Sequence, residues 1–261
     1  MNYLFYAHVA KELFITDYKV FKQLVVAKII DSNIGLICEL FLAAYIMPNF
    51  GIAAGFGMIA FGGLLGTTGV FEGYNSIINL VSDLTGDKIT YYYATLPLPT
   101  WLMLTRFIFS HACLYMILTL TFLPMGKLLL WNEFDLGAIN IIKLMVILCC
   151  ANLFYGAFAL FSTSFIKNMN AIGSVWARFI FPLWFLGGFM FSWQSLYKTS
   201  PVFAYINLGN PIIYISEGYR SALIGSEGYL NFWLCIGMIL LFTIAAGWIG
   251  IRRIKKQCDF I

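Results

Sequence analysis

The sequence predicts an all-α polytopic membrane protein with six transmembrane helices, an N-terminal amphipathic interfacial helix, a re-entrant helical segment before the last span and both termini cytoplasmic. Of its 261 residues, 61% are hydrophobic and only 11% charged, where a soluble domain carries roughly a quarter charged. The apolar residues fall in runs of about 20, long enough for a helix to cross a hydrocarbon layer ~30 Å thick. These runs lack the apolar–polar alternation over about ten residues that marks membrane barrel strands.

Residues 1–23 come first. His8, Lys11, Glu12, Thr16, Lys19, Lys22 and Gln23 fall on one helical face, and Tyr3, Tyr6, Ala10, Leu13, Phe14 and Phe21 on the other, with Asp17 the exception. That two-faced pattern suits a helix lying in the cytoplasmic interface with its lysines near anionic head groups, or a short helix against a partner protein. About two dozen mixed residues precede the first span without a short apolar core and cleavage site, so no cleavable signal is expected.

The spans follow at approximately Leu24–Met47, Gly51–Phe71, Trp101–Leu123, Ile139–Thr163, Ala171–Phe191 and Asn231–Ile251. An even number places both termini on one side, and the basic residues choose which. With the N-terminus inside, Lys11, Lys19, Lys22, Lys88, Lys167, Arg252, Arg253, Lys255 and Lys256 are cytoplasmic, against Lys127, Lys198 and Arg220 outside. In the second span Gly51, Gly55, Gly62, Gly66, Gly69 and Gly73 recur on one face. Small residues let helices approach closely in lipid, so this span is expected to pack centrally or to line a dimer cleft. The fifth span carries Pro182, which kinks a helix and needs neighbours to satisfy the freed carbonyl. The third span ends at Leu123, and an outward loop runs from about Pro124 to Ala138. The outward segment 192–230 is long and apolar, and reads as short re-entrant helices broken at Gly209-Asn210-Pro211.

Ionised groups inside spans are costly and often functional. Lys28 and Asp31, three residues apart, are expected to pair or to snorkel. Glu39 is deeper and has no local partner, Glu72 lies at an edge of the glycine face, and Arg106 and Arg178 can snorkel to the cytoplasmic surface. Glu217 and Arg220 share a helix face, and structural pairing is the favoured role. The only Gly-Lys pair, Gly126-Lys127, lacks the rest of a phosphate-binding loop, and no metalloprotease or nucleophile-elbow motif occurs. His111 reads as a packed side chain, and the six cysteines as small buried hydrophobes. No catalytic and no metal-binding residue is expected, and the chain is not expected to be an enzyme.

The order of these features resembles the membrane (permease) subunit of a type-2 ABC exporter, the ABC-2 type transporter family. Three stretches carry the resemblance: DKITYYYATLPLPTWLMLTRF (Asp87–Phe107), RFIFPLWFLGGFMFSWQSL (Arg178–Leu196) and NPIIYISEGYRSALIG (Asn210–Gly225). The resemblance implies one transmembrane domain over 1–261, made of the interfacial helix 1–23, spans one to five over 24–191, the outward re-entrant segment 192–230, and the last span with its basic tail over 231–261. It further implies a permease homodimer in a bacterial inner membrane, with two copies of a cytoplasmic ABC ATPase subunit docked beneath. ATP and Mg belong to that partner, and this chain binds no cofactor and no nucleic acid. The connection at about 75–93 holds the coupling helix, with Asp83, Asp87, Lys88 and Tyr91 as contacts to the ATPase. Asn210, Pro211, Glu217 and Arg220 form an outer gate or structural pair. Gly55, Gly62, Gly66, Gly69 and Glu72 are candidates for the pathway or the dimer face. SEGYR is similar to polysaccharide-exporting members, whereas DYKVFKQLVVAKIIDSNIG at the first span departs from them. The implied substrate is therefore a hydrophobic or amphiphilic molecule such as a drug or lipid, with lipid-linked polysaccharide as the alternative. From another class, a gradient-driven carrier or channel would need paired deep acids or an inverted repeat.

Overall fold

The computed structural model describes residues 3–52, 55–95 and 99–258, and within these it is all-helical with no strand. A single helix, α1, runs from Tyr3 to Phe41 and passes through a π turn at Leu42–Ile46 into a 3-10 turn at Met47–Phe50. The interfacial helix and first span expected as separate elements are thus one uninterrupted helix. The physical reason lies in the sequence: no glycine or proline occurs between Tyr3 and Asn33 to break it. Asp17, the exception on the apolar face, sits 3.3 Å from Arg106, so α1 is held against the body instead of bending away.

Next come α2 (Phe56–Thr85), α3 (Ile89–Thr95), α4 (Thr100–Leu129) and α5 (Ile141–Thr163). The helix of the second span therefore continues to residue 85, taking up most of what was expected as a connection from 75. Residues 96–98 of the Leu-x-x-Pro turn lie outside the described residues. α4 likewise runs through Pro124 to Leu129, beyond the expected end at Leu123. Its C-terminus closes because Lys127 Nζ donates to Trp131 O at 3.1 Å and Phe134 O at 2.6 Å.

The fifth expected span is α6 (Ile172–Val175), a π turn at Trp176–Ile180 and α7 (Phe181–Phe185). A π turn here relieves the crowding that Pro182 creates one turn back. The helix stops at Phe185, six residues short of the expected Phe191. Three short helices follow, α8 (Trp193–Thr199), α9 (Pro201–Asn207) and α10 (Pro211–Leu223), before α11 (Phe232–Cys258) closes the fold. α10 begins on strong start signals: Asn210 Oδ1 accepts from Ile212 N at 3.0 Å and Pro211 takes the first helical position.

Among the described residues, four helical segments are long and apolar enough to cross a membrane: Lys11–Phe50, Thr100–Leu129, Ile141–Thr163 and Phe232–Gln257. α2 has the length, but glycine, threonine and Glu72 dilute it. The 172–185 stretch is too short. Apolar side chains face outward freely along α1 and α11, among them Val26, Ile34, Trp233, Leu241 and Ile244. Such faces suit lipid, and the chain is a membrane protein. The cysteines differ from expectation in the same way. Among those described, only Cys235 is buried, while Cys38, Cys113 and Cys149 sit on the outer apolar surface.

Contacts fix the helix directions. α1 meets α4 at Asp17 and Arg106, at Asn33 and Thr121, and at Tyr45 and Leu129, so both run the same way. α2 runs against α1, since Lys28 meets Glu72 while Ala44 lies beside Gly57. α5 runs against α4, with Ile108 beside Gly156 and Thr119 reaching Asn152. α11 runs with α5, with Ala157 beside Gly247 and Phe161 beside Gly250. The 172–185 stretch runs against α2: Trp176 stacks near Tyr74, and the chain just beyond α7 passes Gly63. Direction therefore alternates along the chain from α1 through α2, α4, α5 and 172–185 to α11.

Candidate functional site

The centre of the molecule is α10, every residue of which is buried. It runs against α2 across the glycine stripe. A Cβ added at Gly62 would meet the Arg220 side chain, one at Gly66 the Ser216 backbone, and one at Gly69 the ring of Tyr155 from α5. At Gly62, Gly66 and Gly69 the stripe packs against helices of the same chain. Gly55 is no part of it: with φ +88° it is the left-handed turn residue before α2, a conformation that favours glycine. Gly63, absent from the expected set, abuts the carbonyls of Gly188 and Phe189.

α10 and the preceding turn serve the carbonyls that the early end of α7 leaves unpaired. Asn210 Nδ2 donates to Leu183 O at 2.7 Å, Asn207 Nδ2 to Leu186 O at 2.9 Å, and Ser216 Oγ to Gly187 O at 2.7 Å. Arg220 completes the series. Its Nη2 donates to Gly188 O, and to Phe189 O at 3.3 Å. Its Nη1 reaches Phe191 O at 2.9 Å and Glu217 Oε1 at 3.2 Å, and its Nε reaches Ile59 O of α2 at 2.9 Å. All five guanidinium donors are engaged. Glu217 does the complementary work for orphan donors, accepting from Trp193 N and Leu230 N at 3.0 Å each, where α8 and α11 begin.

Both ionised side chains are 0% exposed. Irregular backbone at membrane depth is tolerated only where protein satisfies it, and this pair supplies both the donors and the acceptors. Beside it, burial pushes the half-buried Tyr229 hydroxyl up from its ordinary value; Arg220 opposes that shift and Glu217 adds to it. Tyr229 therefore stays a neutral neighbour. SEGYR is a structural lock, and Asn210, Pro211, Glu217 and Arg220 lie within one connected arrangement. Asn207, Ser216 and Gly63 belong to it too. The signal for them was the unpaired backbone that a Gly-Gly following a proline-bearing helix implies.

A second polar site lies between α1 and α2. Lys28 pairs with Glu72 at 2.6 Å rather than with Asp31, and Ser32 Oγ donates to the same carboxylate at 3.0 Å. Three residues of spacing put Lys28 near Asp31, but the nearly buried Glu72 is the stronger partner because its charge is the costlier one to leave alone. Asp31, Glu39 and Glu72 line one groove of about 290 Å³, walled by Leu64, Phe71 and Phe122. Asp31 is exposed and Glu39 half-buried. The three are spread along the groove and do not gather as a metal-binding set.

The third site is α3, between α2 and α4. Asp83 does not face outward as a contact. Its carboxylate caps α3, accepting from Ile89 N at 2.7 Å and Thr90 N at 2.9 Å. Lys88, with φ 57°, makes the turn between the two helices. Asp87, Lys88, Ile89 and Tyr92 are exposed, while Tyr91 is half-buried and Tyr93 lies under the Arg106 guanidinium at 5.0 Å. Replacing Asp83 with alanine is expected to cost about 1 kcal/mol of local stability, as loss of a helix cap does. Hydrogen exchange over residues 89–95 is then expected to accelerate while α4 stays protected. His111 is packed as expected, with Nδ1 at 2.9 Å from Phe107 O and its ring against Phe21 and Phe107.

These features define a polytopic helical membrane protein with a buried ionic lock, a polar groove between its first two helices and a capped helix in the connection from α2 to α4. No protein-family model matches the chain, and no curated protein matches it in sequence.

Proposed function

We propose that the chain is the transmembrane subunit of an ATP-driven exporter of the type-2 ABC class, carrying a hydrophobic or amphiphilic substrate and powered by a separate ATPase subunit. Supporting this reading, the alternating helix directions suit six crossings, with α2 and the 172–185 stretch as the two polar or shortened ones. α8 and α9 fold against one another, with Trp193 Nε1 donating to Ala204 O at 2.9 Å, and α10 then runs back antiparallel to α2, which suits the returning arm of a re-entrant hairpin. Asn210, at its turn, sits level with Leu183, and Ala222, near its end, sits level with Asn140 at the start of α5. Both termini are placed in the cytoplasm by the RRIKK run at the end of α11, in a bacterial inner membrane.

The observation that carries the proposal is α3. It is a short helix, fixed by its Asp83 cap at the end of the molecule that holds Lys88, Arg106 and Arg252. It presents Asp87, Lys88, Ile89 and Tyr92 outward, a mix of charge and apolar surface that fits a groove on a partner. Two ATPase copies then sit beneath a permease homodimer and supply ATP and Mg, and their cycle alternates the dimer between two arrangements. Tagged full-length chain at native level is expected to bring down an ABC ATPase; failure to do so, with no ATPase encoded beside the gene, sinks the proposal. The Asp87→Ala, Lys88→Ala double variant is expected to weaken that association by roughly fivefold, measured by titrating the ATPase against immobilised permease.

One observation favours a second reading, a gradient-driven carrier. Asp31, Glu39 and Glu72 meet around one groove although they are dispersed in sequence, and intramembrane carboxylates serve as ion relays. Transport in vesicles that persists without ATP and collapses with the proton gradient would decide for it. Lipid-linked polysaccharide remains the alternative substrate of the exporter.

A further inference from the structure

A groove of about 500 Å³ runs between the first half of α1 and α4. Its floor is apolar: Phe14, Phe21, Val25 and Ile29 from α1 face Leu114 and Ile117 from α4. Three and four residues separate neighbours on each side, so two helical stripes face one another. A second trough of about 400 Å³, lined by Ile29, Ile30, Ile34 and Ile37 of α1 with Pro124 and Met125 of α4, shares Ile29 with the first. The two adjoin at Ile29 along the outer surface of the pair, and the polar residues of the second, Asn33 and Thr121, are bonded to each other at 2.8 Å.

Its charges are all at one end. Lys11 and Lys22 line the first groove and are exposed, and 11 residues apart they lie on the same face about 16 Å from one another. Among the described residues, the one carboxylate on the lining is Asp17, which is already occupied by Arg106 at 3.3 Å and by Ser110 Oγ at 2.7 Å. Glu12 is exposed beside Lys11, so Lys22 is the lining cation with no carboxylate next to it in sequence.

We propose that this groove binds an anionic phospholipid, with its phosphate at Lys22, Lys11 adding positive charge farther along the same face, and one acyl chain laid along Val25 and Ile29 into the trough beside Pro124. Shape and charge together choose that occupant. A pair of adjoining, largely apolar grooves fits a flexible chain, and basic side chains at its mouth favour a phosphate and discriminate against a neutral head group. Each lysine near a charged lipid surface adds attraction that falls off within a Debye length. The site is independent of the exporter reading, because it needs only α1 and α4.

Detergent-purified full-length protein, titrated with phosphatidylglycerol or with phosphatidylcholine of the same chains, tests the proposal by native mass spectrometry. The expected result is one tightly retained phosphatidylglycerol per chain, bound at least tenfold more strongly than phosphatidylcholine. The Lys11→Glu, Lys22→Glu variant is expected to lose that preference while keeping its helical circular dichroism. Cys113→Trp, which narrows the groove without changing charge, is expected to weaken both lipids. Glycerol phosphate, which has the head-group charge and no chain, is expected not to compete. Equal retention of the two lipids by the unmodified protein, or an unchanged preference in the double-lysine variant, overturns the proposal. So does competition by glycerol phosphate. A second copy of the chain covering this face would appear as lipid-free dimer in the same spectra and would likewise overturn it.

Discussion

Replacing Arg220 with methionine is expected to prevent recovery of folded protein. The substitution leaves Glu217 without its partner at 0% exposure and removes the donors to the carbonyls of Gly188, Phe189 and Phe191, as well as the one that reaches Ile59 O inside α2. Breaking a buried ion pair by removing one partner costs about 3–5 kcal/mol, and each buried carbonyl left unpaired adds about 1–3 kcal/mol. The total is comparable to the whole stability of a typical domain, about 5–15 kcal/mol. Arg220→Lys is expected to fare little better, since one compact ammonium cannot replace a fork of five donors. Glu217→Gln keeps an acceptor for Arg220 and is expected to cost less. The double variant Glu217→Leu, Arg220→Met is expected to be milder than Arg220→Met alone, because it leaves no lone charge. Thermal unfolding and size-exclusion profiles in detergent measure the series. A monodisperse Arg220→Met protein with unchanged melting temperature would show that the lock holds nothing.

Gly66→Val is expected to separate α2 from α10, with a loss of comparable size. A Cβ at Gly66 would lie 2.7 Å from Ser216 Cα and 2.9 Å from its backbone nitrogen, and backbone atoms of a buried helix cannot step aside. Overpacking of this kind costs about 1–3 kcal/mol in a tolerant core, and more where the obstacle is main chain. Gly73→Ala on the same helix is the contrast. No atom lies within 4 Å of a Cβ built there, so the gain in helix propensity is expected to stabilise by about 0.5–1 kcal/mol. Opposite signs for two glycines of one stripe, read as melting temperatures, would establish that the stripe is a packing seam with two local characters.

The helical class and the approximate positions of α4, α5 and α11 were legible in composition and run length, because lipid imposes a minimum apolar length that leaves a plain trace; α1 read as two elements, and α2, diluted by glycine and polar residues, read as ending at Phe71. The start of α10 was equally legible, since Asn210-Pro211 carries both a cap and a fixed φ. Tertiary choices were not. Lys28 lay three residues from Asp31 and yet pairs with Glu72, 44 positions away. Asp83 read as a surface contact because sequence cannot distinguish an exposed carboxylate from one folded back on two amides. The glycine stripe announced close packing without saying against what. Its neighbour Gly63 escaped notice because it falls one position off the stripe. Asp17 looked like a flaw in an amphipathic face until Arg106, from a helix nearly 90 positions on, appeared beside it.

The lock around Arg220 has a further consequence. Four of its five acceptors are main-chain oxygens, so it recognises the path of the chain through residues 188–191 and is indifferent to the letters written there. Side-chain packing supplies what the guanidinium does not read: Phe189 is buried in the core and stacked on Trp184, and Phe191 packs against that core. Gly188 is held to its type as well, by its φ of +79° and by the contact its Cβ would make with Ile213. One cation thus fixes the course of the chain while separate contacts fix its letters, so the two can fail independently.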